Sequence, residues 1–374
     1  MACVIPTGMA ACCAVAATLG VQYVLFFSPT GRWIMALTWG LVLCMSLAMR
    51  VLLARLRRGV TKSIVFVGED AETSREAVSR LCRESKDAKV IGCFYKNGKA
   101  LSTQTRAVAG WDQVCSNHTS DMIVVQESCS PELMAEVMRV AHNGLTVTGL
   151  VAYFEHKFGR VPCDLIHSDW LLYANHHLHS PVARAVKRCM DVVCAGIGLM
   201  LTLPFWPVVA LLIKITSAGP VFYRQERVGL HGDVFSIMKF RTMYENAEDP
   251  GAPQWAKPKD YRVTAIGKAL RKTRFDEVPQ FLNVLKGDMS FVGPRPERPE
   301  FVDDFRASIP HYDIRHLVKP GITGWAQIMY RYAAGELETK TKLSYDLFYV
   351  KNGTLLLDIE IVLRTTRALM NGAR

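Results

Sequence analysis

Val192-Val193-Cys194-Ala195-Gly196-Ile197-Gly198-Leu199-Met200-Leu201-Thr202-Leu203-Pro204-Phe205-Trp206-Pro207-Val208-Val209-Ala210-Leu211-Leu212-Ile213 carries no charge. A run of about 22 apolar residues is long enough to cross the roughly 30 Å core of a bilayer. Pro204 and Pro207 sit in its middle. Each removes a backbone donor and clashes with the preceding turn, so a straight helix breaks there. Arg184, Lys187 and Arg188 precede the run, and Lys214, Arg224 and Arg227 follow it. Positive charge marks the cytoplasmic side of a membrane segment. A broken helix that enters and leaves by one face fits both features, so the run reads as re-entrant. A kinked spanning helix and a buried core helix are the alternatives.

Downstream, residues 219–330 crowd Gly, Pro and charge more densely than a plain core needs. Asp276-Glu277 stands three residues before Pro279 at most. Proline fits the first turn of a helix and not its interior, so a helix is expected from near Asp276 to about Leu285. An acidic pair there has an ordinary explanation, capping and complementing the macrodipole. Lys268, Arg271, Lys272 and Arg274 lie just ahead of it, however. Beside those cations a carboxylate stays ionised. It can attack phosphorus, or hold a divalent cation against a pyrophosphate. Arg295 lies between Pro294 and Pro296. Its planar fork suits bidentate phosphate binding, and a turn arginine in a salt bridge is the plain alternative. Lys239 and Arg241 alternate on an expected strand, Phe235–Met243, and share one face, either a solvated edge or the wall of an anionic pocket.

Upstream, residues 1–60 contain no acidic residue. Gly8–Phe27 and Trp33–Met49 are two further uncharged runs, joined by Ser28-Pro29-Thr30-Gly31-Arg32. A cleaved signal peptide needs a basic n-region, and no basic residue precedes Arg32. The expectation is a transmembrane helical hairpin with the Arg50–Arg58 cluster on the cytoplasmic side. Residues 61–150 alternate short apolar runs with helical stretches, which predicts a small Rossmann-like α/β domain. After its first strand stands Gly68-Glu69-Asp70. The second and third glycines of a dinucleotide fingerprint are absent, and carboxylates occupy the phosphate position. A regulatory or oligomerising role is expected there, not a cofactor. Residues 151–183 read as a linker with local structure, with His176-His177-Leu178-His179 as solvated connector. Residues 184–374 form the last domain, and Tyr345–Leu369 reads either as interfacial amphipathic helices or as a packed pair.

These parts make an α/β membrane protein of 374 residues: hairpin, small α/β domain, and a mainly helical domain carrying the re-entrant helix 192–213. Half of the residues are hydrophobic, and mean hydropathy is +0.12, which excludes a disordered chain. The eleven cysteines form no CxxC pair, so free thiols are expected and a structural zinc is not. The net charge of +11 admits nucleic acid, an anionic membrane or phosphorylated substrates. Five of the excess charges belong to the hairpin and others gather near Asp276 and Arg295. That distribution favours a membrane anchor plus a diphosphate site, with no nucleic acid.

KRCMDVV (187–193), GPVFYRQERVG (219–229), FSIMKFRTM (235–243), LRKTRFDEVPQFLNVLKGDMSFVGPRPE (270–297) and KPGITGWAQ (319–327) together resemble the motifs, in order, of one family. It is the bacterial sugar transferase family, the polyprenyl-phosphate glycosyl-1-phosphate transferases. The resemblance covers about 180–374. Larger members carry more spanning helices than the two apolar runs at this N-terminus. The resemblance implies transfer of a sugar-1-phosphate from a UDP-sugar to undecaprenyl phosphate, with release of UMP. That reaction would begin exopolysaccharide, capsule or O-antigen repeat units at the cytoplasmic face of the bacterial inner membrane. It implies Asp276 as nucleophile forming a covalent phosphosugar, Glu277 as its assistant, and Mg²⁺ held at Asp276 and Glu277. Arg271 and Arg295 match phosphate-holding positions, with Lys239 and Arg241 as further candidates. The implied partners are the UDP-sugar, undecaprenyl phosphate and the lipid bilayer; a homodimer is left open. Some members make the membrane bend with Ser-Pro, where this chain has Leu203-Pro204. A membrane-tethered NAD-dependent nucleotide-sugar dehydratase or epimerase is the rival enzyme, and the missing glycines speak against it. A non-catalytic scaffold of polysaccharide assembly is the second rival, and the intact dyad and arginines speak against that.

Overall fold

The computed structural model of the chain describes residues 62–68, 88–95, 122–125, 129–142, 145–166, 180–245, 260–330 and 335–370, with isolated positions 40, 45, 79, 81, 170 and 247. The expected hairpin and the His176–His179 patch lie outside these residues. The chain divides into two units, Met1–His156 and Lys157–Arg374.

The first unit holds the strands β1 (Lys62–Gly68), β2 (Ala88–Tyr95) and β3 (Met122–Val125), the helix α1 (Pro131–Ala141), then β4 (Thr146–Gly149) and the start of α2 (Leu150–Phe158). All four strands are parallel, in the order β2-β1-β3-β4. Val65 and Val67 of β1, Ile123 and Val125 of β3, and Leu133 and Val137 of α1 form one buried cluster. The strands alternate toward that cluster, and α1 presents residues four apart. Parallel pairing demands crossover connections, which explains the helical stretch between β3 and β4.

The second unit is mostly helical. In chain order it contains α3 (Pro181–Thr202), a 3-10 turn (Leu203–Phe205), α4 (Trp206–Thr216), the antiparallel pair β5 (Phe222–Val228) and β6 (Val234–Phe240), and α5 (Ala265–Thr273). A second 3-10 turn (Phe275–Glu277) leads into α6 (Gln280–Lys286), then β7 (Ser290–Val292), α7 (Pro299–Ser308), a 3-10 segment (Tyr312–Leu317) and β8 (Gly321–Thr323). The unit closes with α8 (Trp325–Met329), α9 (Glu336–Asn352) and α10 (Leu355–Met370).

Among the described residues, one helix is long and apolar enough to cross a membrane, Pro181–Thr216, and it is the run of α3 and α4. Ser180 caps its start, its hydroxyl accepting from Ala183 N at 3.0 Å, with Pro181 in the first turn. The expected break at Pro204 is a 3-10 turn. The Thr202 hydroxyl donates to the carbonyls of Gly198 and Leu199 at 2.7 and 3.3 Å, the kind of back-bonding that bends a helix. Met200, Leu201, Phe205, Val208, Leu211 and Ile215 stand more than half exposed. A soluble core helix would bury such a stripe.

Both ends of this run are tied to one small unit. Arg188 donates to the carbonyls of Val284 and Leu285 in α6 at 2.6 and 2.7 Å. Beyond α4, Arg241 donates to Ala218 O at 2.6 Å and to Ser217 O at 2.8 Å. Strand β6 and helix α6 are joined in turn by Asn283, which accepts from Met238 N and donates to Ser236 O. In between, Phe205 meets Phe275 edge-on at 6.5 Å.

Helices α9 and α10 form a packed core pair. Tyr349 and Ile361 are buried with Val292 and Trp325. Tyr349 donates to Asp358 at 2.7 Å, and Lys187 of α3 donates to the same carboxylate at 2.7 Å.

Candidate active site

Helix α5 is capped by Thr264, whose hydroxyl accepts from Gly267 N at 2.9 Å. Gly267 lies so close to strand-end Thr242 that a Cβ would sit 2.0 Å from its carbonyl oxygen. Only glycine permits that approach. The helix ends at Arg274, which takes a left-handed conformation at φ 60°. Asp276 and Glu277 then fall in the 3-10 turn ahead of α6, with Pro279 at its N-cap. The expected single helix from Asp276 to Leu285 is thus corrected: the reversal at Arg274 puts the pair one turn outside α6. Phe275 anchors the turn, stacked on Phe240 at 6.1 Å.

Both acids are buried, each 8% exposed. Glu277 Oε1 accepts from Arg295 at 2.6 Å and from Lys239 at 3.2 Å. Burial pushes the Glu277 carboxyl up, but Arg295 and Lys239 outweigh it and hold it well below the usual carboxylate range. Asp276 differs. Its Oδ1 is buried without a hydrogen-bond partner among the described residues. Burial, then the neighbouring Glu277 charge, push its carboxyl up, tempered by Lys239, Arg271 and Arg274. Lys239 is itself pushed down by burial, with Glu277 opposing. Two adjacent acids thus have opposite environments, one clamped by cations and one left open.

Arg271 stands near Asp276, its Nε donating to Thr242 Oγ1 at 2.9 Å. Lys239, Arg271 and Arg295 are therefore gathered around the dyad. Arg241 is not. Strand β6 ends at Phe240, and the Arg241 guanidinium is spent on the Ser217 and Ala218 carbonyls at the end of α4. Its expected place in the phosphate wall is corrected to a clasp at the end of the apolar helix.

A second layer positions Arg295. Arg315 donates to Arg295 O at 2.8 Å, to Asp346 at 2.9 Å and to the Tyr312 hydroxyl at 2.8 Å. Glu297 accepts from Lys342 at 2.7 Å and pairs with Arg227 at 3.8 Å. Burial pushes Glu297 up, yet Lys342 and Arg315 bring it down to about 2. None of these residues stood out as functional in the sequence, because most of their partners lie 20 or more positions away. Below them the backbones of the Gly293 and Gly321 segments touch. A Cβ on Gly321 would lie 2.1 Å from Gly293 N. That contact explains both glycine-bearing motifs, GPRPE and KPGITG.

The model of the bacterial sugar transferase family matches residues 182–372. The chain belongs to the bacterial sugar transferase family. The match takes in the dyad, Lys239, Arg271, Arg274 and Arg295, and nearly all of the apolar helix. The chain is 48% identical over 214 residues to the UDP-N-acetylgalactosamine-undecaprenyl-phosphate N-acetylgalactosaminephosphotransferase of Aeromonas hydrophila, covering 57% of this chain and 50% of that protein. It is 44% identical over 190 residues to the UDP-glucose:undecaprenyl-phosphate glucose-1-phosphate transferase of Escherichia coli, covering 50% of this chain and 40% of that one. A protein of the same description from Caulobacter vibrioides is 43% identical over 188 residues, covering 49% of this chain and 69% of that protein. The chain spans about half the length of the Aeromonas relative and less of the E. coli one.

The sugar transferase family resemblance implies Mg²⁺. No group of three or more His, Cys, Asp or Glu side chains gathers among the described residues. Asp276 and Glu277 nonetheless offer adjacent carboxylates, with Asp276 Oδ1 unclaimed. That donor set fits an ion which keeps several waters and shares substrate phosphates, as Mg²⁺ does.

Proposed function

We propose that this protein transfers a sugar-1-phosphate from a UDP-sugar to undecaprenyl phosphate, releasing UMP, through a covalent intermediate on Asp276. The observation that carries this reading is the unpartnered, buried Asp276 carboxylate beside a Glu277 clamped by Lys239 and Arg295. The names of the relatives support the same reaction.

Asp276 attacks the phosphorus that bears the sugar. The bond from that phosphorus to UMP breaks, and UMP leaves with the electron pair. An oxygen of undecaprenyl phosphate then attacks the aspartyl-bound phosphorus and frees the carboxylate. Arg295 and Arg271 orient the anionic groups by forked hydrogen bonding. Glu277, held well below the usual range, is a poor base at neutral pH, so it serves to place Lys239 and Arg295. Asp276 and Glu277 would hold the Mg²⁺, whose charge offsets that of the diphosphate.

The site works at the cytoplasmic face of the inner membrane, with 192–213 as a re-entrant helix. What supports re-entry is that Arg188 and Arg241, beyond opposite ends of the run, both bond within the unit joined by Asn283. A straight span would separate them by the bilayer thickness. Beginning a polysaccharide repeat unit follows from the product. The four parallel strands of the first unit are read as a Rossmann-like domain, since the order 2-1-3-4 opens one of the common doubly wound sheets.

The purified full chain, given Mg²⁺, undecaprenyl phosphate and either UDP-N-acetylgalactosamine or UDP-glucose, is expected to release UMP. Asp276→Asn should lower turnover by at least about 10³-fold. It should not lower the Tm, because it removes a buried charge. Near-normal UMP release by Asp276→Asn would remove Asp276 as nucleophile.

A further inference from the structure

Gln280 opens α6 and is 3% exposed, yet its amide nitrogen Nε2 has no hydrogen-bond partner among the described residues. Four residues earlier, Asp276 Oδ1 is in the same condition. The chain between them is helical, with Val278 at φ −54°, ψ −38° and Pro279 at φ −59°, ψ −17°. Val278 N donates to Phe275 O and Phe281 N to Val278 O, the i+3 pairing of a 3-10 path, so Gln280 follows one turn after the dyad and lies over Glu277. A buried donor without an acceptor therefore stands one turn beyond a dyad that carries a buried acceptor without a donor.

Such a donor is a liability to folding, since a buried polar group left unmade costs stability that an apolar residue of equal length avoids. Asn283, the next amide on α6, shows the ordinary solution: it is buried and bonded through both its oxygen and its nitrogen. Among the described residues the Gln280 nitrogen has no comparable bond, and what it lacks is an acceptor.

Resting on the function proposed above, the geometry points to Gln280 as a further catalytic residue. Its amide N–H donates to a non-bridging oxygen of the phosphoryl group while Asp276 attacks that phosphorus. No proton leaves Gln280. The Asp276–phosphorus bond forms, the bond to UMP breaks, and the amide stabilises charge on the equatorial oxygens as they spread apart. It is a neutral donor among cations, so it adds directionality without deepening the ground-state grip on the diphosphate.

The test compares Gln280→Met and Gln280→Glu with the wild-type full chain in detergent, using Mg²⁺, undecaprenyl phosphate and the UDP-sugar that the wild type turns over. Gln280→Met keeps the length and loses the donor. Its kcat should fall about 10²-fold with the KM for UDP-sugar within about threefold, the mark of a contact made in the transition state. Its Tm should equal or exceed that of the wild type. Gln280→Glu sets an acceptor against the phosphoryl oxygens and should be slower still. Turnover of either variant within about threefold of wild type overturns the role. So does a fall in the Tm of Gln280→Met beyond about 4 °C, which would mean the amide is a structural bond. An active wild type with unaffected variants sinks this inference alone; a wild type that releases no UMP sinks the proposed function and this role with it.

Discussion

Glu277 and Asp276 are neighbours in sequence with opposed electrostatics, and each depends on the other. The Glu277 charge is one of the causes that push Asp276 up, and the same charge occupies Lys239 and Arg295. In Glu277→Gln the repulsion disappears, and both cations face Asp276 with less competition. Both changes favour the ionised Asp276, so its carboxyl should move down. The acid limb of the pH–kcat profile should therefore shift to lower pH, even though the maximum turnover falls. A limb that stays put or moves up would show that Asp276 is not the group it reports. The dyad was legible in the sequence because acids, cations and a proline crowd one short stretch. Its exact setting was not. The reversal depends on Arg274 at positive φ, a conformation that no residue type other than glycine announces. Arg315 was invisible for another reason: it holds the Arg295 carbonyl through folding, with no local pattern to mark it.

Among the elements, α4 and its clasp matter most. Arg241 closes the end of the apolar helix by donating to two carbonyls that α4 cannot satisfy internally. Charged hydrogen bonds of this kind contribute about 1.5–3 kcal/mol each, and two from one side chain add incompletely. Arg241→Met should cost about 2–4 kcal/mol, read from denaturant unfolding in detergent. Arg241→Lys should recover only part, because one ammonium cannot present a planar fork to both oxygens. Unchanged stability in Arg241→Met would mean that the clasp carries no weight. The strand pattern set Lys239 and Arg241 on one face, but the strand ends one residue before Arg241, whose side chain turns to Ser217 and Ala218 instead. The broken apolar helix, by contrast, was readable from Pro204 and Pro207 alone, as were the short parallel strands from their alternation.

For the molecule as a whole, the property to settle is the topology that the proposed re-entrant helix would take in a bilayer. Val182 and Ile215 stand at opposite ends of the apolar run and are 73% and 71% exposed. Val182→Cys and Ile215→Cys, each in a background stripped of other thiols, should both react with a membrane-impermeant maleimide only from the cytoplasmic side. Labelling of the two from opposite sides would replace re-entry with a span. The ion pair between Lys187 and Asp358 adds a constraint of a different sort, for its members are 171 positions apart. Ribosomes add about 5–20 residues per second. Once Lys187 has been made, roughly 10–30 s must pass before its acidic partner exists. Arg295 likewise waits for Arg315 and Asp346. On the function proposed above, the apolar segment would meet lipid while the site downstream is still unbuilt, so insertion would precede competence and a truncated product would hold membrane without turning over substrate.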